Sequence, residues 1–131
     1  MTVMREETVL AWLARAAEGR REAPALGGVD DAVFLTHGGL LDLIADAGRQ
    51  FRDFGVGRGD VVLVALSDGP VALAVLLAVS SVATALPVPA HEQPEEYARV
   101  LDALPVRAVV MEERPDAALT ALVRDRGITL L

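Results

Sequence analysis

The 131-residue chain contains no cysteine, which excludes a disulfide framework, a thiolate nucleophile and thiolate metal ligands. It also contains no lysine, because all twelve basic residues are arginine. None of its residues can therefore offer an ammonium group to a transferring phosphoryl or carboxylate oxygen. The same absence argues against a phosphoacceptor receiver, a small α/β module that needs a lysine at a strand end.

Aromatic residues are also scarce, at 4% of the sequence against 53% apolar residues. The core of the domain must then be built from alanine, valine and leucine, and the length favours one domain over residues 1–131. The net charge of −7 repels phosphate backbones and anionic lipid. We therefore expect neither a nucleic-acid partner nor an electrostatic membrane partner.

Export and membrane signals are weak. The first twenty residues carry acids beside their apolar run and show no small-residue cleavage site, so we expect no signal peptide and a cytoplasmic protein. Residues 71–90 are uncharged, but Pro87 and Pro89 shorten the run to about sixteen residues, too few to cross a bilayer. The absence of both lysine and asparagine, whose codons are AT-rich, indicates a GC-rich bacterial genome.

Segments with a helical apolar period alternate with short continuous apolar runs. Helices are predicted over residues 8–20, 37–54 and 71–82, from Pro94 through Leu104, and from Pro115 onward. A hairpin is predicted within 24–36, and strands at 33–35, 61–66, 85–88, 107–111 and 128–131. This alternation predicts the α/β class: a mainly parallel sheet, including the strand at 33–35, with helices on both faces.

Turn chemistry marks several element ends. The hydroxyl of Thr36 can cap the following helix, and Gly55 suits the left-handed cap at its end. In Ser67-Asp68-Gly69-Pro70, the proline suits the first position of a helix and the residues before it suit its cap.

Two segments flank the helix predicted at 37–54: Leu35-Thr36-His37-Gly38-Gly39-Leu40 at its start and Phe54-Gly55-Val56-Gly57-Arg58-Gly59-Asp60-Val61-Val62 at its end. They resemble Leu-Thr/Ser-Tyr-x-Glu-Leu and Leu-Gly-Val-x-x-Gly-Asp-Val-Val, two signatures of the adenylate-forming superfamily of acyl-CoA synthetases, luciferases and adenylation domains of nonribosomal peptide synthetases. The family's Lys-Ala-Gly-x-x-Tyr-x-Pro-Leu-Asp survives mainly as Pro87, since Ser80, Val82, Ala85 and Pro89 replace its Lys, Gly, Tyr and Asp.

The resemblance runs over nearly the whole chain but covers only about the first quarter of such an enzyme. It implies an N-terminal portion of an AMP-forming ligase that activates an acyl or aminoacyl group. The family's phosphate loop with its lysine, its ATP-binding aspartate and the lysine of its mobile C-terminal domain have no counterpart in this sequence. We therefore expect a truncated ligase portion that does not adenylate alone, with no catalytic, cofactor-binding or metal-binding residue of its own.

A second hypothesis retains the fold but assigns no enzymatic activity to the protein. The four replaced positions of the last signature also fit a freestanding, non-catalytic relative that serves as a dimerising or scaffolding module in a biosynthetic multienzyme. The partner is then a second copy of the chain, whereas the ligase hypothesis predicts the remainder of an adenylating enzyme.

Two loops invite a ligand-binding interpretation. The glycines of Gly55-Val56-Gly57-Arg58-Gly59 follow a helix and precede a strand, the reverse of a phosphate-binding loop, so a helix cap and turn is favoured. The Ser67–Pro70 loop follows a predicted parallel strand, where open α/β sheets bind ligands, although capping explains the same residues.

The other polar candidates have structural explanations. His37 and His91 lack partners at metal spacing, and the hydroxyls of Ser80 and Ser81 are expected to bond to carbonyls one turn earlier in their helix. The pairs Asp30-Asp31 and Glu112-Glu113 are interpreted as solvated charge, and Trp12 as a core or docking anchor.

The helix at 71–82 is apolar on every side, which is typical of a helix buried on both faces. A single sheet covers only one face, so we expect the other to drive self-association or partner binding. The interface residues proposed on this basis are Val71, Leu73, Val75, Leu76, Leu77, Val79 and Val82.

Overall fold

The computed structural model describes residues 8–27, 33–90, 92–112 and 117–131. The helices within these ranges are α1 (Val9–Ala17), α2 (His37–Asp53), α3 (Pro70–Ser80), α4 (Pro94–Ala103) and α5 (Ala117–Asp125). The strands are β1 (Pro24–Gly27), β2 (Val33–Thr36), β3 (Val61–Ala65), β4 (Thr84–Pro87), β5 (Val106–Met111) and β6 (Thr129–Leu130). The position predicted to open the last helix, Pro115, lies outside the described residues.

The central sheet has the strand order β4-β3-β5-β6, and each neighbouring pair is parallel. The predicted α/β class with a mainly parallel sheet is confirmed. One strand was assigned to the wrong sheet: β2 pairs antiparallel with β1 in a separate two-stranded sheet. Strands β1 and β2 form the predicted hairpin, and β2 continues directly into α2 instead of crossing over to the main sheet.

The helix ends follow the local chemistry of the sequence. The Thr8 hydroxyl accepts a hydrogen bond from the amide of Ala11 at 3.0 Å, and the Thr36 hydroxyl accepts from the amide of Gly39 at 3.1 Å. Pro70 and Pro94 each stand in the first turn of their helix, where a missing amide hydrogen costs nothing. These residues fix where α1 to α4 begin.

Helices cover both faces of the sheet. On one face, Tyr97 and Leu101 of α4 and Leu119 and Val123 of α5 pack against buried β3 and β5 residues. The opposite face is covered by α3 and by the C-terminal half of α2. The buried residues of that side are Phe51, Val56, Val62, Val64, Val79 and Ala108.

A further apolar layer lies on the outer side of α3. Leu40 and Ile44 of α2 pack against Ala74 and Ala78 of α3, and residues of α1 and the hairpin surround this cluster. In consequence α3 lies between the sheet and a second layer formed by α1, α2 and the hairpin.

An ion pair joins the ends of α4 and α5. Arg126 donates from Nε to Asp102 Oδ1 at 2.8 Å and from Nη2 to Oδ2 at 3.2 Å. These hydrogen bonds lower the pKa of the Asp102 carboxyl below its ordinary value. Both groups meet solvent, so the pair orients the helices and adds little to stability.

Among the described residues, no helix combines the length and the hydropathy needed to cross a bilayer.

Candidate functional site

The carboxyl edge of the parallel sheet is the place where open α/β folds bind ligands. After β3 the chain forms α3 on one face of the sheet, whereas after the neighbouring strand β5 it forms α5 on the other face. At this divergence, the amide of Ser67 after β3 donates to Oε1 of Glu112 after β5 at 2.8 Å. Glu112, expected to be merely solvated, therefore ties two strand ends together across the divergence.

A polar-edged crevice of about 560 Å³ opens beside this contact. The strand ends and α3 line it, with Ser67 and Asp68 as the polar members and Leu66, Leu76 and Val88 among the apolar ones. The N-cap of α3 is Gly69, which has no side chain to cap the helix. Two carboxylates, those of Asp68 and Glu112, stand at this edge, and their charge opposes a phosphate there.

The connector after β4 forms part of the crevice wall and is held by one buried tyrosine. The Tyr97 hydroxyl donates to the carbonyl of Pro89 at 2.8 Å and accepts from the amide of Glu92 at 3.1 Å. Tyr97 is 1% exposed. Tyr97 shares the buried face of α4 with Leu101, and helical spacing alone does not indicate the role of its hydroxyl.

The glycine-rich segment after α2 forms a helix cap and a turn. The amide of Val56 donates to the carbonyl of Phe51 and that of Gly55 to the carbonyl of Arg52, both at 2.9 Å. This is the paired pattern that closes a helix through a left-handed glycine, and Gly55 has φ +79°. The amide of Gly57 donates to a carboxylate oxygen of Asp60 at 2.8 Å, so it serves the turn.

The remaining polar candidates take structural positions. The backbone amide of His37 donates to the carbonyl of Ala23 at 2.9 Å, and the Ser81 hydroxyl donates to the carbonyl of Ala78 at 2.6 Å, as predicted. Trp12 is 61% exposed, so it is not a core anchor in this fold. The candidates outside the described residues are Asp30, Asp31, His91 and Glu113.

No group of three or more histidine, aspartate or glutamate side chains that could hold a metal occurs in the described part of the chain.

The apolar helix α3 is more enclosed than its sequence indicates. Val79 is fully buried, and Leu77 packs against the cluster that α1 and α2 form on the outer side. The other half-buried members of the predicted interface, which pack toward the sheet, are Val75, Leu76 and Val82. Val71 and Leu73 alone of the seven predicted residues are exposed, at 54% and 46%.

A second, strongly apolar opening lies on the α3 side of the sheet. This groove, of about 410 Å³, runs between α2 and α3 above the end of β5 and the last two residues. We call it the α2–α3 groove. Its lining residues are Leu43, Ala47, Gln50, Phe51, Phe54, Ala74, Val75, Ala78, Val110, Leu130 and Leu131.

Comparison with solved structures finds the same fold in ligases. A benzoate CoA ligase from Burkholderia xenovorans LB400 superposes with a TM-score of 0.82 at 19% identity, over 95% of this chain and 25% of its own. An o-succinylbenzoate CoA synthetase from Bacillus subtilis gives 0.75 at 15% identity, over 92% and 30%. An artificially fused adenylation-PCP di-domain NRPS from Klebsiella oxytoca gives 0.76 at 16% identity, over 98% and 23%.

The chain thus spans about a quarter to a third of the length of these structures, and its architecture is that of the N-terminal subdomain of adenylate-forming enzymes. Comparison with curated protein sequences finds no match. The model of the AMP-binding enzyme family matches residues 13–129, nearly the whole sequence. By this match over most of its length, the chain belongs to the AMP-binding enzyme family.

Proposed function

We propose that the chain is the N-terminal portion of an AMP-forming ligase that activates an acyl or aminoacyl group, and that it adenylates nothing by itself. The family match over residues 13–129 carries this proposal. In it, the chain contributes one sheet with its helices, and the remainder of the enzyme contributes the groups that contact ATP.

The chemistry of the chain supports assigning the groups that contact ATP to the remainder of the enzyme. Charge develops on phosphate and carboxylate oxygens during adenylation, and such reactions depend on cationic groups held at those oxygens. The chain has no lysine, and the sheet edge where a ligand would be expected carries Asp68 and Glu112. Two carboxylates there raise the free energy of a phosphate instead of lowering it.

An ATP–pyrophosphate exchange assay tests both halves of the proposal. The names of two of the related structures supply the acids to offer, benzoate and o-succinylbenzoate. The purified chain should give no exchange with either of them, while the benzoate CoA ligase serves as the positive control. Exchange that persists through repurification of the chain would contradict the predicted inactivity.

The second half concerns the native assembly. When the chain is used as bait to purify its native assembly from the source cells, the purified material should exchange pyrophosphate with at least one acid. Depletion of the chain from that material should remove the activity. Native material that contains the chain but exchanges with no acid would contradict its place in a ligase.

Two exposed aliphatic residues favour the alternative, a freestanding non-catalytic relative that dimerises or scaffolds a multienzyme. Val71 and Leu73 of α3 are exposed, and a second copy could cover them. The two functions differ in a measurable way, because the scaffold requires self-association of the isolated chain and the ligase portion does not.

A further inference from the structure

We draw no further inference here: the strongest candidate, the apolar α2–α3 groove with Leu43, Phe54 and Leu130 in its lining, carries none because nothing in the described part of the structure shows what covers it.

Discussion

The glycines of the turn after α2 should differ sharply in how much stability is lost when each is replaced by alanine. Gly55 and Gly59 have φ of +79° and +91°, in the left-handed region, whereas the φ of Gly57 lies outside it. A Cβ at Gly57 or Gly59 would meet no atom within 4 Å, and one at Gly55 would meet only the flexible end of Arg107, at 3.1 Å. Backbone conformation, and not space, therefore decides the cost of alanine at each position.

The magnitudes follow from the backbone alone. Left-handed conformation costs a residue with a Cβ roughly 1–2 kcal/mol, so Gly55→Ala and Gly59→Ala should each lower the free energy of unfolding by about that amount. Gly57→Ala restricts the unfolded chain at a compatible position and should be neutral or stabilising by up to about 1 kcal/mol. The amide of Gly57 that donates to Asp60 is retained in the variant.

Urea unfolding followed by circular dichroism measures these differences. With a slope of about 2 kcal/mol per molar, the midpoints of Gly55→Ala and Gly59→Ala should fall by roughly 0.5–1 M. Gly57→Ala serves as the matched control within the same five residues. Equal destabilisation by all three substitutions, or an unchanged midpoint for Gly55→Ala, would refute the assignment of the segment as a conformational turn.

Three further predictions address other contacts. Tyr97→Phe removes the hydroxyl that holds the connector after β4 and should cost about 1–2 kcal/mol in urea unfolding; an unchanged midpoint would mean that solvent replaces these bonds. Asp102→Asn should lower stability slightly at neutral pH and at low salt; because pairing with Arg126 lowers the pKa of the carboxyl, the difference from wild type should vanish as the pH falls through that lowered pKa. Val71 and Leu73 are already about half buried, so covering the four such side chains of a symmetric dimer contributes roughly 3–6 kcal/mol, at the low end of the roughly 4–15 kcal/mol that association costs; light scattering should therefore find a monomer at tens of micromolar, and a dimer that Leu73→Gln dissociates would favour the scaffold.

Local patterns predicted the elements of this fold well. The strand predicted at 61–66 is the buried strand β3, and the helix predicted at 37–54 is α2. The cues for both act within a few residues, where the period of apolar positions and the capping chemistry decide the backbone. For this reason the starts of α2 and α3 fall within one residue of their expected positions.

Those local patterns do not indicate which distant segments contact each other. The assignment of β2 to the main sheet was wrong because a four-residue strand has no local feature that chooses between two sheets. The contact between Ser67 and Glu112 joins residues 45 positions apart, and the hydroxyl of Tyr97 bonds to a connector without regular structure. Each depends on crossovers that only the assembled sheet defines.

The apolar helix α3 explains why the first elements of the chain are needed. An eleven-residue helix that is apolar on every side exposes too much aliphatic surface when only a sheet covers it. Here α2 covers its outer side through Ile44 against Ala74, and α1 and the hairpin close the cluster around them. The excess apolar surface that the sequence predicts therefore lies at the margin of this layer, at the α2–α3 groove, and not at the middle of α3.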